Sequence, residues 1–390
     1  MSDKDGDVKT VGVIGLGTMG LGIAQLAAVA GHQILAYDEN EQQRTSVVSR
    51  MQQSLRKLEE KAIISRERVA EILSVVRPAA TLGDFASCEL VIEAIVEELP
   101  AKQKLFSALD SVVSPRCLLA TNTSSLPVSA IAESCSTPER VLGIHFFNPA
   151  PLMPLVELVS GQKTAEDCVR QAEELLKYWG KTCVRVKDSP GFIVNRVARP
   201  FYLEPLRMLE KGEANPATVD WAMREHGGFP MGPFELMDFI GLDVNLRVTE
   251  SIYTALKSPR YEPSPLQQKL VQAGALGKKS GKGFYDYRTG VPSPKPKKDP
   301  EFGRKIVRRV VSVLIDEAVS AVEQEIASAA DIEVGMKKGV NYPKGLLAWG
   351  EEWGFGAVLS ELLSLQQTLG EARYKPSPLL IKLASGIQKL

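Results

Sequence analysis

The chain has 390 residues, more than one hydrophobic core ordinarily serves, so two or three domains are expected. Its 47 Lys and Arg balance its 47 Asp and Glu, which leaves no overall field to draw it to nucleic acid or to an anionic membrane. Five cysteines without C-x-x-C spacing argue against a disulfide framework and a zinc site; they read as reduced, mostly buried thiols, and no metal is expected.

Met1 to Thr10 is charged and runs directly into a strand, which leaves no room for a signal peptide. No apolar run reaches membrane-spanning length, so the expected compartment is the cytoplasm. From Val11 to Asp188 short β-rich runs alternate with longer helical patterns: Val11–Ile14, Gln33–Tyr37, Leu90–Ile92, Leu118–Thr121, Val141–Phe146 and Cys183–Val186. That alternation predicts an α/β, Rossmann-type doubly wound domain over residues 1–188.

Gly15-Leu16-Gly17-Thr18-Met19-Gly20 follows the first strand and opens a helix. G-x-G-x-x-G alone is a weak signal, but strand before and helix after complete the dinucleotide fingerprint. Gly15 permits the tight turn, Gly17 lets the backbone approach a pyrophosphate, and Gly20 lets helix pack on strand. The second strand delivers Asp38 where a carboxylate can accept from the adenosine ribose hydroxyls, so NAD is expected over NADP. An ordinary helix N-cap before Gln42 and Gln43 is the plainer role for Asp38.

Three histidines occur, and histidine is the usual group for taking a proton from an alcohol as hydride leaves. His32, in a Gly-His turn, and His226, before Gly227-Gly228, fit surface or capping roles. His145 ends a strand, where open α/β sheets place ligand-binding groups. Twelve residues on, Glu157 stands alone in the apolar run Leu155–Val159, where a buried carboxylate would be costly without a partner. Pairing with His145 would fix the imidazole tautomer and stabilise the imidazolium; exposure on an edge strand is the alternative.

After Ser189-Pro190-Gly191 the texture turns helical, with helices expected over Phe192–Lys211 and Pro216–Glu225. Gly290 to Pro300 is rich in Pro and Lys and reads as an extended connector. On either side of it lies a repeat: Ile193-Val194-Asn195-Arg196 matches Ile306-Val307-Arg308-Arg309, Pro230-Met231-Gly232 matches Pro343-Lys344-Gly345, and Tyr261–Leu266 matches Tyr374–Leu379. Every pair is 113 residues apart, which implies duplication of a helical unit. Two tandem all-α domains are therefore expected after the α/β domain, at 189–290 and, as a degenerate copy, at 302–390, with a linker at 291–301.

In order and spacing, GLGTMG, VIEAIVEE, TNTSSL, GIHFFNP, MPLVELV, DSPGFIVNR and GKKSGKGFYDY, between Val11 and Tyr287, resemble the L-3-hydroxyacyl-CoA dehydrogenase family. The resemblance implies NAD-dependent conversion of a 3-hydroxyacyl-CoA to a 3-ketoacyl-CoA and back. His145 would be the base and Glu157 its partner, with Ser124 on the reacting oxygen and Asn195 helping to hold histidine and substrate. It extends the cofactor contacts from the glycines, Thr18, Met19 and Asp38 to Glu97, Lys102, Asn148 and Lys279. Ser54 and Lys61, on the long helix after Asp38, match positions that touch the CoA portion, although a solvated face explains them nearly as well.

The extra helical copy is the main departure, since the shortest family members lack it. Arg308 replaces the equivalent of Asn195 there and cannot reproduce an amide's donor and acceptor pattern, so the copy reads as structural. In single-copy relatives the helical domain forms a homodimer, so the expectation is a monomer holding an internal pseudo-dimer, with a homodimer as the alternative. The expected partner is an acyl-CoA, with no nucleic acid and no membrane. A same-scaffold dehydrogenase of a free hydroxy acid, of carnitine or gulonate type, would use the same hydride chemistry. Reliance on a catalytic lysine in 6-phosphogluconate-like chemistry, and loss of the His145, Glu157 and Asn195 set in a non-catalytic relative, separate the remaining readings.

Overall fold

Residues 8–390 are described by a computed structural model, which divides after Ser189 into two units. In the first, eight strands form one sheet: β1 (Thr10–Ile14), β2 (Gln33–Tyr37), β3 (Val76–Pro78), β4 (Leu90–Glu93), β5 (Leu118–Thr121), β6 (Val141–Phe146), β7 (Leu155–Ser160) and β8 (Thr182–Lys187). Their order is β3-β2-β1-β4-β5-β6-β7-β8. The first six run parallel in the doubly wound dinucleotide-binding order. β7 then runs antiparallel to β6, with β8 parallel to β7.

β4, β5 and β6 are buried at every residue, as strands covered on both faces must be, so their sequences are continuous apolar runs rather than alternations. β3 was not among the expected strands. Only Val76 of its three residues is buried, too little apolar signal to mark a strand by pattern. The expected long helix after Asp38 is two helices, Glu41–Thr45 and Val47–Glu59, and the second ends before Lys61.

In the second unit the expected helix Phe192–Lys211 is likewise two, Val194–Val197 and Arg199–Glu210. Pro200, near the start of the second, lacks the N–H that a continuous helix would use and suits a first turn. The helices then recur. Pro216–Glu225, Pro233–Ile240, Leu242–Leu256 and Pro265–Gln272 have counterparts starting 113 residues on, Ala329–Gly339, Leu346–Trp353, Phe355–Leu369 and Pro378–Ala384. The backbone repeats even where it is unusual. Gly212 (φ 70°) corresponds to Glu325 (φ 51°), and Gly228 (φ 71°) to Asn341 (φ 54°); non-glycine residues hold left-handed turns in the second copy that glycine holds in the first.

The copies share one core. The helix Pro300–Glu323 is buried along most of its length, from Gly303 to Ala321, and packs on Arg199–Glu210 and Pro216–Glu225. Two ionic clusters related by the repeat stitch it in place. Arg196 donates to Glu317 at 3.0 Å, and the Tyr261 hydroxyl donates to the same carboxylate. At the equivalent positions Arg309 donates to Glu204 at 3.1 Å and Tyr374 donates to it at 2.8 Å. Each arginine thus pairs with the glutamate of the other copy.

The expected connector has no regular structure over 291–299 yet is held at points. The Thr218 hydroxyl accepts from the Lys297 N–H at 2.9 Å, so its proline-rich sequence lies along the first copy's helix start.

Candidate functional site

Asp38 organises the glycine loop from beneath. Its Oδ2 accepts the Leu16 N–H at 2.6 Å and its Oδ1 the Asn40 N–H at 2.8 Å. The helix cap before Gln42 and Gln43 is Asn40, whose side chain accepts both N–H groups, so the plain capping role considered for Asp38 belongs to its neighbour. The glycines differ in what a side chain would meet. At Gly20 a Cβ would lie 1.7 Å from the Gly15 carbonyl oxygen, whereas at Gly17 it would meet nothing within 4 Å. Packing thus requires Gly20, while Gly17 leaves open space in front of the N-terminus of the helix Thr18–Val29. That open cradle, with Thr18 and Met19 starting the helix behind it, fits a dinucleotide pyrophosphate.

His145 and Glu157 face each other directly across β6 and β7. The register places the imidazole Nδ1 2.7 Å from Glu157 Oε2. Glu157 is fully buried and His145 is 6% exposed, so the edge-strand alternative for Glu157 does not hold: β8 covers the far side of β7. Because the carboxylate accepts, Nδ1 carries the proton and the neutral imidazole has its lone pair on Nε2. The Phe147 ring packs on the imidazole, centroids 4.7 Å apart.

The loop after β5 is assembled around one carboxylate. Glu97 accepts from the Thr123 hydroxyl at 2.7 Å and from the Ser124 and Ser125 N–H groups at 2.9 and 3.2 Å. Lys102, buried to 1% exposure, lies 2.5 Å from Glu93 and 3.2 Å from Glu97. Burial works to raise the Glu97 pKa, but Lys102 and the donors from Thr123 and Ser124 outweigh it and hold the carboxyl below its ordinary value. Glu97 and Lys102 therefore shape the loop that presents Ser124, a task no periodicity in VIEAIVEE announces.

Two further positions were not singled out in the sequence. Asn122 Oδ1 accepts the Phe146 N–H at 2.9 Å, tying the β5 loop to the residue after His145. Lys181 is buried and gives its ammonium to the carbonyls of Ala150 and Met153, at 2.6 and 2.8 Å, with burial lowering its pKa. It clamps the turn that follows the cis Asn148–Pro149 bond and carries exposed Asn148. Asn122 at least sits in TNTSSL; Lys181 stands in a Gly-Lys pair before a strand with no pattern to flag it.

The other expected residues are dispersed. In the first unit Ser54 is half-buried on the helix Val47–Glu59, and Lys61 is exposed in the turn beyond it. In the second unit Asn195 lies on the short helix Val194–Val197, and Lys279 pairs with Asp243 at 2.5 Å. His32 is not a surface residue as expected. It is 7% exposed, its Nδ1 lies 2.9 Å from the Val8 carbonyl, and Trp179 Nε1 donates to its Nε2 at 2.8 Å. His226 caps the helix Pro216–Glu225 and packs edge-on against Trp221. Among the described residues no group of acidic, His and Cys side chains could hold a metal, and no helix is long and apolar enough to cross a membrane. The cysteines are free thiols, three of them buried.

Residues 10–189 match the model of the 3-hydroxyacyl-CoA dehydrogenase NAD-binding domain, and residues 191–287 and again 306–386 match that of the family's C-terminal domain. The chain belongs to the 3-hydroxyacyl-CoA dehydrogenase family. It is an NAD-dependent oxidoreductase. Along nearly its whole length it is similar to the 3-hydroxyadipyl-CoA dehydrogenase of Escherichia coli K12, with 37% identity covering 96% of this chain and 97% of that one. A probable 3-hydroxybutyryl-CoA dehydrogenase of Bacillus subtilis is 41% identical over 72% of this chain and 98% of its own. The crystal structure of an Escherichia coli 3-hydroxybutyryl-CoA dehydrogenase superimposes with a TM-score of 0.92, covering 98% of this chain and all of that one at 37% identity.

Proposed function

We propose that this dehydrogenase interconverts an L-3-hydroxyacyl-CoA and the 3-ketoacyl-CoA, with His145 as the general base. The observation that carries the reading is the buried His145–Glu157 pair at 2.7 Å, set at the strand ends where open α/β sheets bind ligands. NAD, when bound, supplies the hydride acceptor. His145 takes the hydroxyl proton on Nε2, and Glu157 stabilises the imidazolium that results. Ser124, presented by the Glu97-centred loop, donates to the reacting oxygen, and Asn195 holds the substrate. Asp38 accepts from the ribose hydroxyls, and Glu97, Lys102, Asn148 and Lys279 line the cofactor's path; Ser54 and Lys61 meet the CoA.

A survey of NADH consumption over 3-ketoacyl-CoAs of increasing length tests this reading. Activity on acetoacetyl-CoA and its homologues, and none on free 3-keto acids, is expected. Turnover of the free acids alone would replace it with the carnitine or gulonate type of chemistry. In the same assay NADH should outperform NADPH, because a 2′-phosphate beside Asp38 meets like charge; equal rates would overturn the assignment of Asp38.

We further infer a cytoplasmic monomer in which the second helical copy stands where single-copy chains would place a partner subunit. Phe201, Phe229 and Tyr342 pack together between the copies, with centroids 5.0 to 5.7 Å apart. A chain ending at Gly290 would expose that aromatic surface and should dimerise or aggregate. A well-behaved monomer in sedimentation would count against the arrangement.

A further inference from the structure

The helical repeat acts as an internal control on which polar residues the fold requires. In the first copy four buried polar side chains adjoin one another: Arg199, Asn245, Thr249 and Gln267, exposed by 4%, 3%, 0% and 0%. Arg199 Nε donates to the Asn195 carbonyl at 2.6 Å, and its Nη1 donates to the Asn245 carbonyl at 3.4 Å and the Thr249 hydroxyl at 3.3 Å. Gln267 Nε2 donates to Asn245 Oδ1 at 3.0 Å, while Gln267 Oε1 is buried without a hydrogen-bond partner. The equivalent positions 113 residues on are Ser312, Val358, Leu362 and Leu380, all fully buried. The same helices thus pack around a nearly apolar set, and the fold does not need the cluster.

Arg199 is the odd member among the buried arginines of this unit. Arg196 meets Glu317, Arg207 meets Glu204, Arg260 meets Asp316 and Glu317, and Arg309 meets Glu204 and Glu213. Arg199 has no carboxylate among the described residues. Its acceptors are neutral, its Nη2 has none among the described residues, and its other near neighbours are the Tyr202 ring at 4.8 Å and Tyr342. Burial lowers its pKa, as expected of a desolvated charge without a counter-ion. Such a charge is costly unless an anion arrives to meet it. Holding the Asn195 carbonyl does not explain it, since Arg308, the equivalent residue, stands at the same turn with only Ser312 after it.

We propose that Arg199 is the counter-ion for a carboxylate at the far end of the substrate's acyl chain, with Thr249, Asn245 and Gln267 as its polar surround, so that the preferred substrate class is the ω-carboxylated 3-hydroxyacyl-CoA. The assignment rests on the reading of Asn195, one helical turn earlier, as a substrate contact. A guanidinium offers a carboxylate paired N–H donors in fixed geometry, and the Nη2 edge of Arg199 is the one left over. A methyl-ended chain would leave the charge unmet.

The test compares kcat/KM for two 3-hydroxyacyl-CoAs of equal chain length, one ending in a carboxylate and the other in a methyl group. The native protein should favour the first by about 10–100-fold, as for a hydrogen bond to a charged group. In Arg199→Met the ratio should fall to near one, and Arg199→Lys should keep part of it. Equal kcat/KM for both substrates in the native protein would overturn the proposal, and so would a preference that survives Arg199→Met. Because the native comparison needs no variant, a Met variant that fails to fold leaves the question decidable. Turnover of neither substrate by the native protein would instead sink the dehydrogenase reading beneath it.

Discussion

In His145→Gln, kcat for oxidation of a 3-hydroxyacyl-CoA is expected to fall about 10²–10⁴-fold, the usual contribution of a general base. The amide can fill the space of the imidazole and accept or donate a hydrogen bond, but it cannot hold a proton at neutral pH. NAD binding, followed by quenching of protein fluorescence, should persist, because the glycine loop and Asp38 follow β1 and β2, and β4 and β5 stand between those strands and β6. Glu157→Gln tests the same device from the other side. A glutamine that accepts through its oxygen keeps the tautomer and loses only the charge. If it donates instead, the proton moves to Nε2 and the base is lost. Its rate should lie between the native value and that of His145→Gln; near-native turnover in either variant would remove the pair from the chemistry.

The largest loss of stability is expected from Glu317→Leu. Its carboxylate is 1% exposed and receives Arg196 at 3.0 Å, Arg260 at 3.1 Å and the Tyr261 hydroxyl. Removing it leaves Arg196 with only the neutral Gln324 and Tyr261 oxygens and Arg260 with Asp316 as its one remaining carboxylate among the described residues, and breaking a buried pair in this way costs about 3–5 kcal/mol. Urea unfolding should report that loss as a lower midpoint at unchanged slope. A loss below about 1 kcal/mol, the scale of an exposed pair, would mean that the clusters do not join the copies. The equivalent Glu204 adds a pH signature. Burial raises its pKa, but Arg207 and Arg309, with the Tyr374 hydroxyl, outweigh it and hold it below the ordinary glutamate value. A carboxyl depressed in the folded state lends stability that is complete above its unfolded pKa, about 4.3. That stability drains away as pH falls further, so the join should loosen in acid.

The features legible in the sequence are those with a short-range code. G-x-G-x-x-G, Asp38 one strand later, and continuous apolar runs broken by helices depend on neighbours a few residues apart, because strand, turn and helix each impose a period. His145 and Glu157 could be singled out because a charge inside an apolar run demands a partner, and a twelve-residue separation suits a hairpin. Resemblance supplied Ser124 and Asn195, which had no local mark of their own.

The amino-acid sequence by itself determined the alternation of strand and helix, the dinucleotide loop, the duplicated helical unit with its constant offset, and the choice of one histidine and one glutamate as candidates for a pair. Only the tertiary structure decided that His145 and Glu157 meet, that Arg196 and Arg309 each pair across the repeat with the other copy's glutamate, that Lys181 clamps the turn after Asn148–Pro149, and that Arg199 meets no carboxylate among the described residues. The reason is physical: a buried charge is settled by which groups the fold brings within hydrogen-bonding distance, and those lie on segments far apart in the chain. Local pattern can say that a charge needs a partner, but only packing says whether it has one.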